Sequence, residues 1–306
     1  MQKPLVSILM ATYNRAHLIA ETLRSVQAQS FINFECIIID DGGADNTAAV
    51  LAPFLEDVRF SFRKRPNNYG KGLPGCRNFG LDIAKGNFII FFDDDDIVHP
   101  RNLEHCVNEL QNCDYNFCRY KRDVFIGEFS YKFDLIESYE KFIISKKDIL
   151  KVINNQLPFN SCAIMWSASC FEKNRFKEQL MYAEEWELYT RILSQGFSGV
   201  SIGKTLFYGR KHPQSNTGEF YNGNPMRFAS KVEASTLIIS NLNNRNLLST
   251  AIQKYFIWEA VILKSKLIYE HLLGQSSVKL VQKAKATILY TLSPLIKIYL
   301  RRKKNH

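Results

Sequence analysis

An α/β fold on a mostly parallel sheet, followed by a helical C-terminal extension, is predicted for this 306-residue chain by two observations. Over about the first hundred residues, apolar strand-like runs alternate with segments of helical spacing, the pattern of right-handed βαβ crossovers. One of those runs, Phe88-Ile89-Ile90-Phe91-Phe92, ends at four consecutive aspartates, Asp93 to Asp96. Ligands of open α/β sheets sit at the carboxyl ends of strands.

Taken in order, Leu5 to Met10 reads as a buried strand, and Ala16 to Gln29 carries Leu18, Ile19, Leu23 and Val26 at helical spacing. Phe34 to Ile39 is the second strand; Asp40-Asp41-Gly42-Gly43 then allows a sharp turn, and Asn46 to Leu55 is helical in pattern. Val58 to Phe62 is a candidate third strand. Past a Gly/Pro/Asn-rich loop, Arg65 to Gly75, a helix over Cys76 to Ala84 leads through Gly86 to the aspartate strand, with Pro100 in the first turn of the next helix. Aromatic-rich Tyr115 to Phe125, strand-like Cys162 to Trp166 and a helix from about Glu185 to Ser194 follow. A polar loop, Gly209 to Asn224, closes a domain expected over 1–224, in halves 1–100 and 101–224. Beyond Pro225, helices at about Met226 to Leu242, Leu247 to Leu273 and Val278 to Leu300 define a helical region, 225–306.

Composition narrows the function classes. Hydrophobic residues at 46% support a substantial core, and seven cysteines without a CxxC pair argue against zinc and for a reducing cytosol. Met1-Gln2-Lys3-Pro4 runs straight into the first strand with no charged n-region and apolar stretch, so a cytoplasmic location is expected. Of the +10 net charge, eight Lys/Arg fall between Lys279 and His306 with no Asp or Glu, so the basic character is a property of the tail and does not mark a nucleic-acid binder. Ala284 to Leu300 is interrupted by Pro294 and Lys297 and is too short to span a bilayer, which needs ~20 mostly apolar residues. A basic amphipathic segment over 279–304, ending in Arg301-Arg302-Lys303-Lys304, fits peripheral contact with the anionic inner face of the cytoplasmic membrane. Packing on the preceding α/β domain with a solvated basic end fits it too. The aromatic-rich C-terminal helices, with Trp258, are a candidate homodimer surface.

Four carboxylates this close repel one another, and leaving them buried and unpaired is costly. A cation resolves both problems. Oxygen donors suit Mn²⁺ or Mg²⁺, ions that typically bind one or two protein carboxylates plus substrate phosphates. The plainer alternative is a solvated turn or helix cap.

Five segments in this order, Val6 to Arg15, Ile39 to Thr47, Arg77-Asn78-Phe79-Gly80, Lys85 to Phe88 and Asp93 to Pro100, resemble family 2 glycosyltransferases of the GT-A fold, over about residues 4–220. The resemblance implies a nucleotide-sugar donor, with a UDP-sugar the leading candidate, a divalent metal (Mn²⁺ or Mg²⁺) and inversion at the anomeric carbon. It places Ala11, Thr12 and Tyr13 at the nucleoside and Asp41 on the base, with Asp40 supporting the turn. Arg77 falls near the nucleotide or donor phosphate, Asp93 at ribose or a metal-bound water, and Asp95 on the metal. Asp94 and Asp96 fall near donor hydroxyls or behind the ligands. In Met181 to Leu188, Glu184 and Glu185 align with the family's acidic pair, so Glu185 takes the catalytic-base position, as Glu where Asp is commoner. In the loop Tyr208 to Asn216, His212 is implied as completing the metal site or touching the diphosphate, with Arg210 and Lys211 neutralising the leaving group. The implied acceptor is a saccharide or lipid-linked saccharide of bacterial surface polysaccharide assembly (O-antigen, capsule or LPS). A nucleotide-sugar-binding protein with impaired turnover is the competing expectation, because of the Glu at 185. A processive synthase is disfavoured by the lack of membrane spans.

Overall fold

The computed structural model describes residues 3–111, 113–130, 133, 138–211 and 216–292. Its first half is the expected alternation: β1 (Val6–Thr12), α1 (Ile19–Gln27), β2 (Phe34–Asp40), α2 (Thr47–Leu51), β3 (Phe60–Lys64), α3 (Leu73–Ile83), β4 (Phe88–Phe92), β5 (Ile97–Val98) and α4 (Asn102–Gln111). The remainder runs β6 (Phe117–Phe125), β7 (Lys141–Ile144), α5 (Ile149–Ile153), β8 (Ile164–Ser167), α6 (Glu184–Ser194), β9 (Gly199–Arg210), α7 (Asn216–Tyr221), α8 (Pro225–Asn244), α9 (Thr250–Leu263), α10 (Lys266–Leu273) and α11 (Leu280–Thr291).

Among the described residues, nine strands form one sheet in the order β3-β2-β1-β4-β8-β6-β9-β5, with β7 also on β9. The β3-β2-β1-β4 half is parallel, whereas β8 runs antiparallel to both β4 and β6. Alternate residues of each central strand face opposite cores: Leu9, Ile37, Ile39 and Phe91 on one side, Ile8, Met10, Ile38 and Phe92 on the other. Burial on both faces is why these strands read as unbroken apolar runs. The first of these cores continues through Trp166 and Tyr189 to Ile239, Phe256 and Leu272, so α8, α9 and α10 share it with the sheet.

Several element bounds depart from the sequence expectation. The single helix expected over 247–273 breaks at Lys264, which takes a left-handed φ of 51°, and Ser265 caps the new start by accepting from the Ile268 N–H. The helix expected over 46–55 stops at Leu51, with Pro53 ahead of a separate 3₁₀ turn at Phe54–Glu56. The loop expected from Gly209 is shorter, because Gly209 and Arg210 finish β9 and a helical turn forms over Asn216–Tyr221. In the last expected helix α11 covers Leu280–Thr291, and 293–306 lie outside the described residues. No helix among the described residues is long and apolar enough to cross a membrane.

Candidate active site

A cleft of ≈ 720 Å³ opens at the carboxyl ends of β1, β2 and β4, walled by α3, α6, α8 and α9. Its floor begins at the β2 turn. Gly42 takes φ +90°, a conformation costly for residues with a Cβ, and Asp40 fixes the turn by accepting from the Gly43 N–H at 2.9 Å. Asp41 lines the cleft and accepts from Arg65 Nε at 2.6 Å and from the Gly72 N–H at 3.0 Å, tying the β2 end to the start of α3. Ala11, Thr12 and Tyr13 line the same end, and Tyr13, 47% exposed, has the Lys71 ammonium 5.2 Å from its ring centre.

The four aspartates are gathered as expected and are mostly buried. Asp94 Oδ2 is buried with no hydrogen-bond partner, and Arg15 stands 3.7 Å from Asp94 Oδ1 and 3.8 Å from Asp95 Oδ2. Asp96 accepts from the Arg210 N–H at 2.7 Å and lies 4.0 Å from Arg122. Burial pushes the Asp94 carboxyl up to about 7 and that of Asp96 up to about 8, the latter with Asp93 and Asp95 adding repulsion. Asp93 is raised as well, by burial against the opposing pull of Arg77. One oxygen each from Asp93 and Asp96 and the Cys162 sulfur lie within 4.8 Å of one another. The Cys162 thiol is raised well above its usual range by burial, so the hard donors of that cluster are the two carboxylates.

Arg210 is committed to holding this loop. It donates through Nε to the Asp95 carbonyl at 3.0 Å, through its terminal nitrogens to the Gly127 carbonyl and to Glu21, and lies over the Phe125 ring. The Lys211 N–H bonds the Phe125 carbonyl at 2.8 Å, and its side chain is exposed. His212, expected near the metal or the diphosphate, lies outside the described residues.

The acidic pair enters from α6. Ala183, just ahead of it, has a left-handed φ of 62°, which turns the chain so that Glu184 and Glu185 open the helix at the cleft wall. Glu184 is buried against Arg77 at 3.2 Å. Glu185 keeps 29% of its side chain exposed, accepts from the Ser161 N–H at 3.1 Å and lies 3.8 Å from Arg77. Burial pushes its carboxyl up to about 7, with Arg77 opposing and Glu184 adding to the rise.

Arg77 is only 3% exposed and is the hub of the site. Its guanidinium meets Glu184, Asp93 at 3.5 Å and the Ser161 hydroxyl at 2.9 Å, and lies 5.6 Å and 5.3 Å from the centres of the Phe91 and Phe176 rings. In this geometry its partners are carboxylates, where the resemblance places it at a phosphate. Sequence reasoning assigned no role to Arg15, Arg122, Ser161 or Cys162. Only the first carried a signal, its place at the end of the β1 motif.

The profile described as Glycosyl transferase family 2 matches residues 7–173, more than half of the chain, and the chain belongs to that family. The Escherichia coli UDP-Glc:alpha-D-GlcNAc-diphosphoundecaprenol beta-1,3-glucosyltransferase WfgD is 35% identical over 113 residues, 37% of this chain and 44% of that protein. The Campylobacter jejuni GalNAc(5)-diNAcBac-PP-undecaprenol beta-1,3-glucosyltransferase is 28% identical over 63% of this chain and 60% of its own. An uncharacterized glycosyltransferase of Rickettsia typhi is 26% identical over 62% and 59%. The matched stretches thus span less than two thirds of these relatives. Among solved structures, Staphylococcus aureus TarS 1-349 in complex with UDP-GlcNAc superposes with TM-score 0.68 at 17% identity, covering 94% of this chain and 81% of that one. The Pyrobaculum calidifontis mannosyltransferase PcManGT in complex with GDP-Man and Mn²⁺ superposes at 0.55 and 13% identity, over 100% and 82%. The fold is the GT-A fold.

Proposed function

We propose that this chain is an inverting glycosyltransferase that moves a sugar from a nucleotide-sugar, a UDP-hexose or UDP-N-acetylhexosamine, to a hydroxyl of a lipid-linked saccharide in surface polysaccharide assembly. The observation that carries it is Glu185: a carboxylate at the wall of a polar cleft, held by the Ser161 N–H, and raised to about 7, where a general base works best near neutral pH. The WfgD and Campylobacter names, both of enzymes acting on diphosphoundecaprenol-linked sugars, support the acceptor class.

The donor's base would meet Tyr13 and Asp41, and its diphosphate the aspartate loop. The loop fits a divalent cation: Asp93 and Asp96 bring one carboxylate oxygen each within 4.8 Å of one another, and ionising this cluster without a cation is unfavourable enough to raise three of its carboxyls. Asp95, Asp93 and Asp96 would hold Mn²⁺ or Mg²⁺, with His212 a candidate fourth ligand. Such an ion supplies charge neutralisation on a leaving diphosphate and orients it. Glu185 then takes the proton of the acceptor hydroxyl as its oxygen forms the new bond to the anomeric carbon. The bond to the diphosphate breaks on the opposite face, so an α-linked donor gives a β-glycoside. Arg77 holds Glu184 and Glu185 in register with Asp93.

The first test is a thermal-shift panel of UDP-, GDP-, CMP- and dTDP-sugars with and without Mn²⁺, since a ligand of the folded state raises Tm. A metal-dependent rise with one nucleotide is expected; no rise with any of them in folded protein refutes the donor site. Peripheral membrane contact is part of the same reading. On α11 and at its C-terminal cap, Leu280, Val281, Ile288 and Leu292 are exposed beside Lys279 and Lys285, and no Asp or Glu follows Glu270. Sedimentation with phosphatidylglycerol vesicles but not phosphatidylcholine vesicles is expected, and equal behaviour with both would refute it.

A further inference from the structure

The far wall of the cleft is made by the helices after the family-matched segment. Lys231 of α8 and Tyr255 of α9 both line it, beside Trp186, the residue that follows Glu185 on α6. The Lys231 ammonium is held 3.3 Å from the centre of the Trp186 ring and 3.2 Å from Glu259. Trp186 is itself pinned by its Nε1–H to the Ile153 carbonyl at 3.3 Å and by Phe256 at 6.1 Å. Tyr255 and Glu259 lie one turn apart on α9, so both face the same side. Across from them, Tyr182 stacks on Phe220 with 4.7 Å between ring centres, and Tyr221 is 80% exposed at the cleft edge.

A lysine and glutamate taken largely out of water need a reason to be there, because paired buried charges contribute little net stability. Lys231 brings N–H donors to this wall with its charge offset by Glu259, which suits neutral hydroxyls better than a phosphate. The tyrosines supply amphipathic rings for the C–H face of a pyranose, and a few convergent polar groups on an aromatic wall are the usual make-up of a small-molecule site. Tyr182, Ala183, Glu184, Glu185 and Trp186 run consecutively along this wall, which sets the acceptor region next to the base.

We propose that Lys231 and Tyr255, with Trp186 and the Tyr182–Tyr221 edge, form the subsite for the accepting sugar, so that the C-terminal helices select the acceptor. This rests on the glycosyltransferase reading above. It makes α8 and α9 part of the reaction centre, although the nucleotide half lies entirely before them.

The test uses the full chain with Lys231→Met and Tyr255→Phe, the second removing a single hydroxyl so that folding is little disturbed. The probes are undecyl diphosphates bearing α-GlcNAc, α-GalNAc or α-Gal, with the donor identified by the Tm panel. For the probe that the wild type glycosylates fastest, the acceptor KM should rise about tenfold or more in both variants. The donor Kd by calorimetry, and the donor-induced rise in Tm, should stay as in the wild type. An unchanged acceptor KM in a folded Tyr255→Phe and a folded Lys231→Met overturns the subsite. A wild type that binds donor but glycosylates none of the three probes overturns it too, while a wild type that binds no donor overturns the reading beneath.

Discussion

Replacing Glu185 by Gln removes the proton acceptor while keeping its length and its hydrogen bond from the Ser161 N–H. A positioned general base is worth about 10²–10⁴ in rate, so kcat should fall by at least a hundredfold at pH 8. The wild-type rate should climb between pH 6 and 8, because the carboxyl must be ionised and burial has raised it to about 7; the residual rate of the variant should lack that rise. Stability moves the other way. The folded-state value lies above the ordinary 4.5, so the unfolded chain ionises first and wild-type stability is lost as pH rises from 4.5 to about 7. At about 1.4 kcal/mol per pH unit this amounts to as much as about 3 kcal/mol, a net figure in which the Arg77 attraction is already included. The variant should therefore match or exceed the wild type in Tm at pH 8, with the advantage gone near pH 4.5. Donor-dependent UDP release and thermal denaturation across pH check both limbs. A folded variant retaining more than a tenth of the rate at pH 8, or a wild-type profile flat from pH 6 to 8, would refute the assignment of Glu185 as the base.

Arg77→Met leaves Glu184 and Asp93 facing each other without their cation; breaking such a buried network costs about 3–5 kcal/mol, and Tm should drop by on the order of 10 °C in differential scanning calorimetry. Asp95→Asn should abolish the Mn²⁺-dependent part of the donor-induced Tm rise while leaving any metal-independent part, and a full Mn²⁺ response in the variant would remove Asp95 from the ligand set. Gly75→Ala would place a Cβ on the Gly70 carbonyl oxygen, backbone that has nowhere to go, so soluble expression or Tm should fall sharply, whereas Gly274→Ala, whose nearest neighbours are at 3.5 Å, should be tolerated.

The parallel half of the sheet was legible because each strand carries its own signal: Ile37, Ile38 and Ile39 are apolar whichever face they meet. β9 was not, although it is twelve residues long, because Gly199, Lys204 and Gly209 interrupt its pattern and its identity comes from partners distant in sequence, β5, β6 and β7. The break at Lys264 was equally silent, since a single left-handed lysine leaves no compositional trace. At the site, the residues on strand ends and at the α6 start were found by their motifs and do converge on one cleft. The contacts that set their chemistry were not: Arg77 between three carboxylates, Ser161 beneath Glu185 and Arg210 around the aspartate loop all join positions more than fifteen apart.

Ala183 carries a consequence for how sharply the base is aimed. An alanine held at φ 62° stores about 1 kcal/mol that a glycine would release. Glycine would also let the chain hinge there, and the carboxylate one residue beyond Glu184 would sample a wider arc. Ala183→Gly should therefore yield a protein with Tm equal or higher and kcat lower, showing that the stiffness of this joint, rather than its comfort, keeps Glu185 on line.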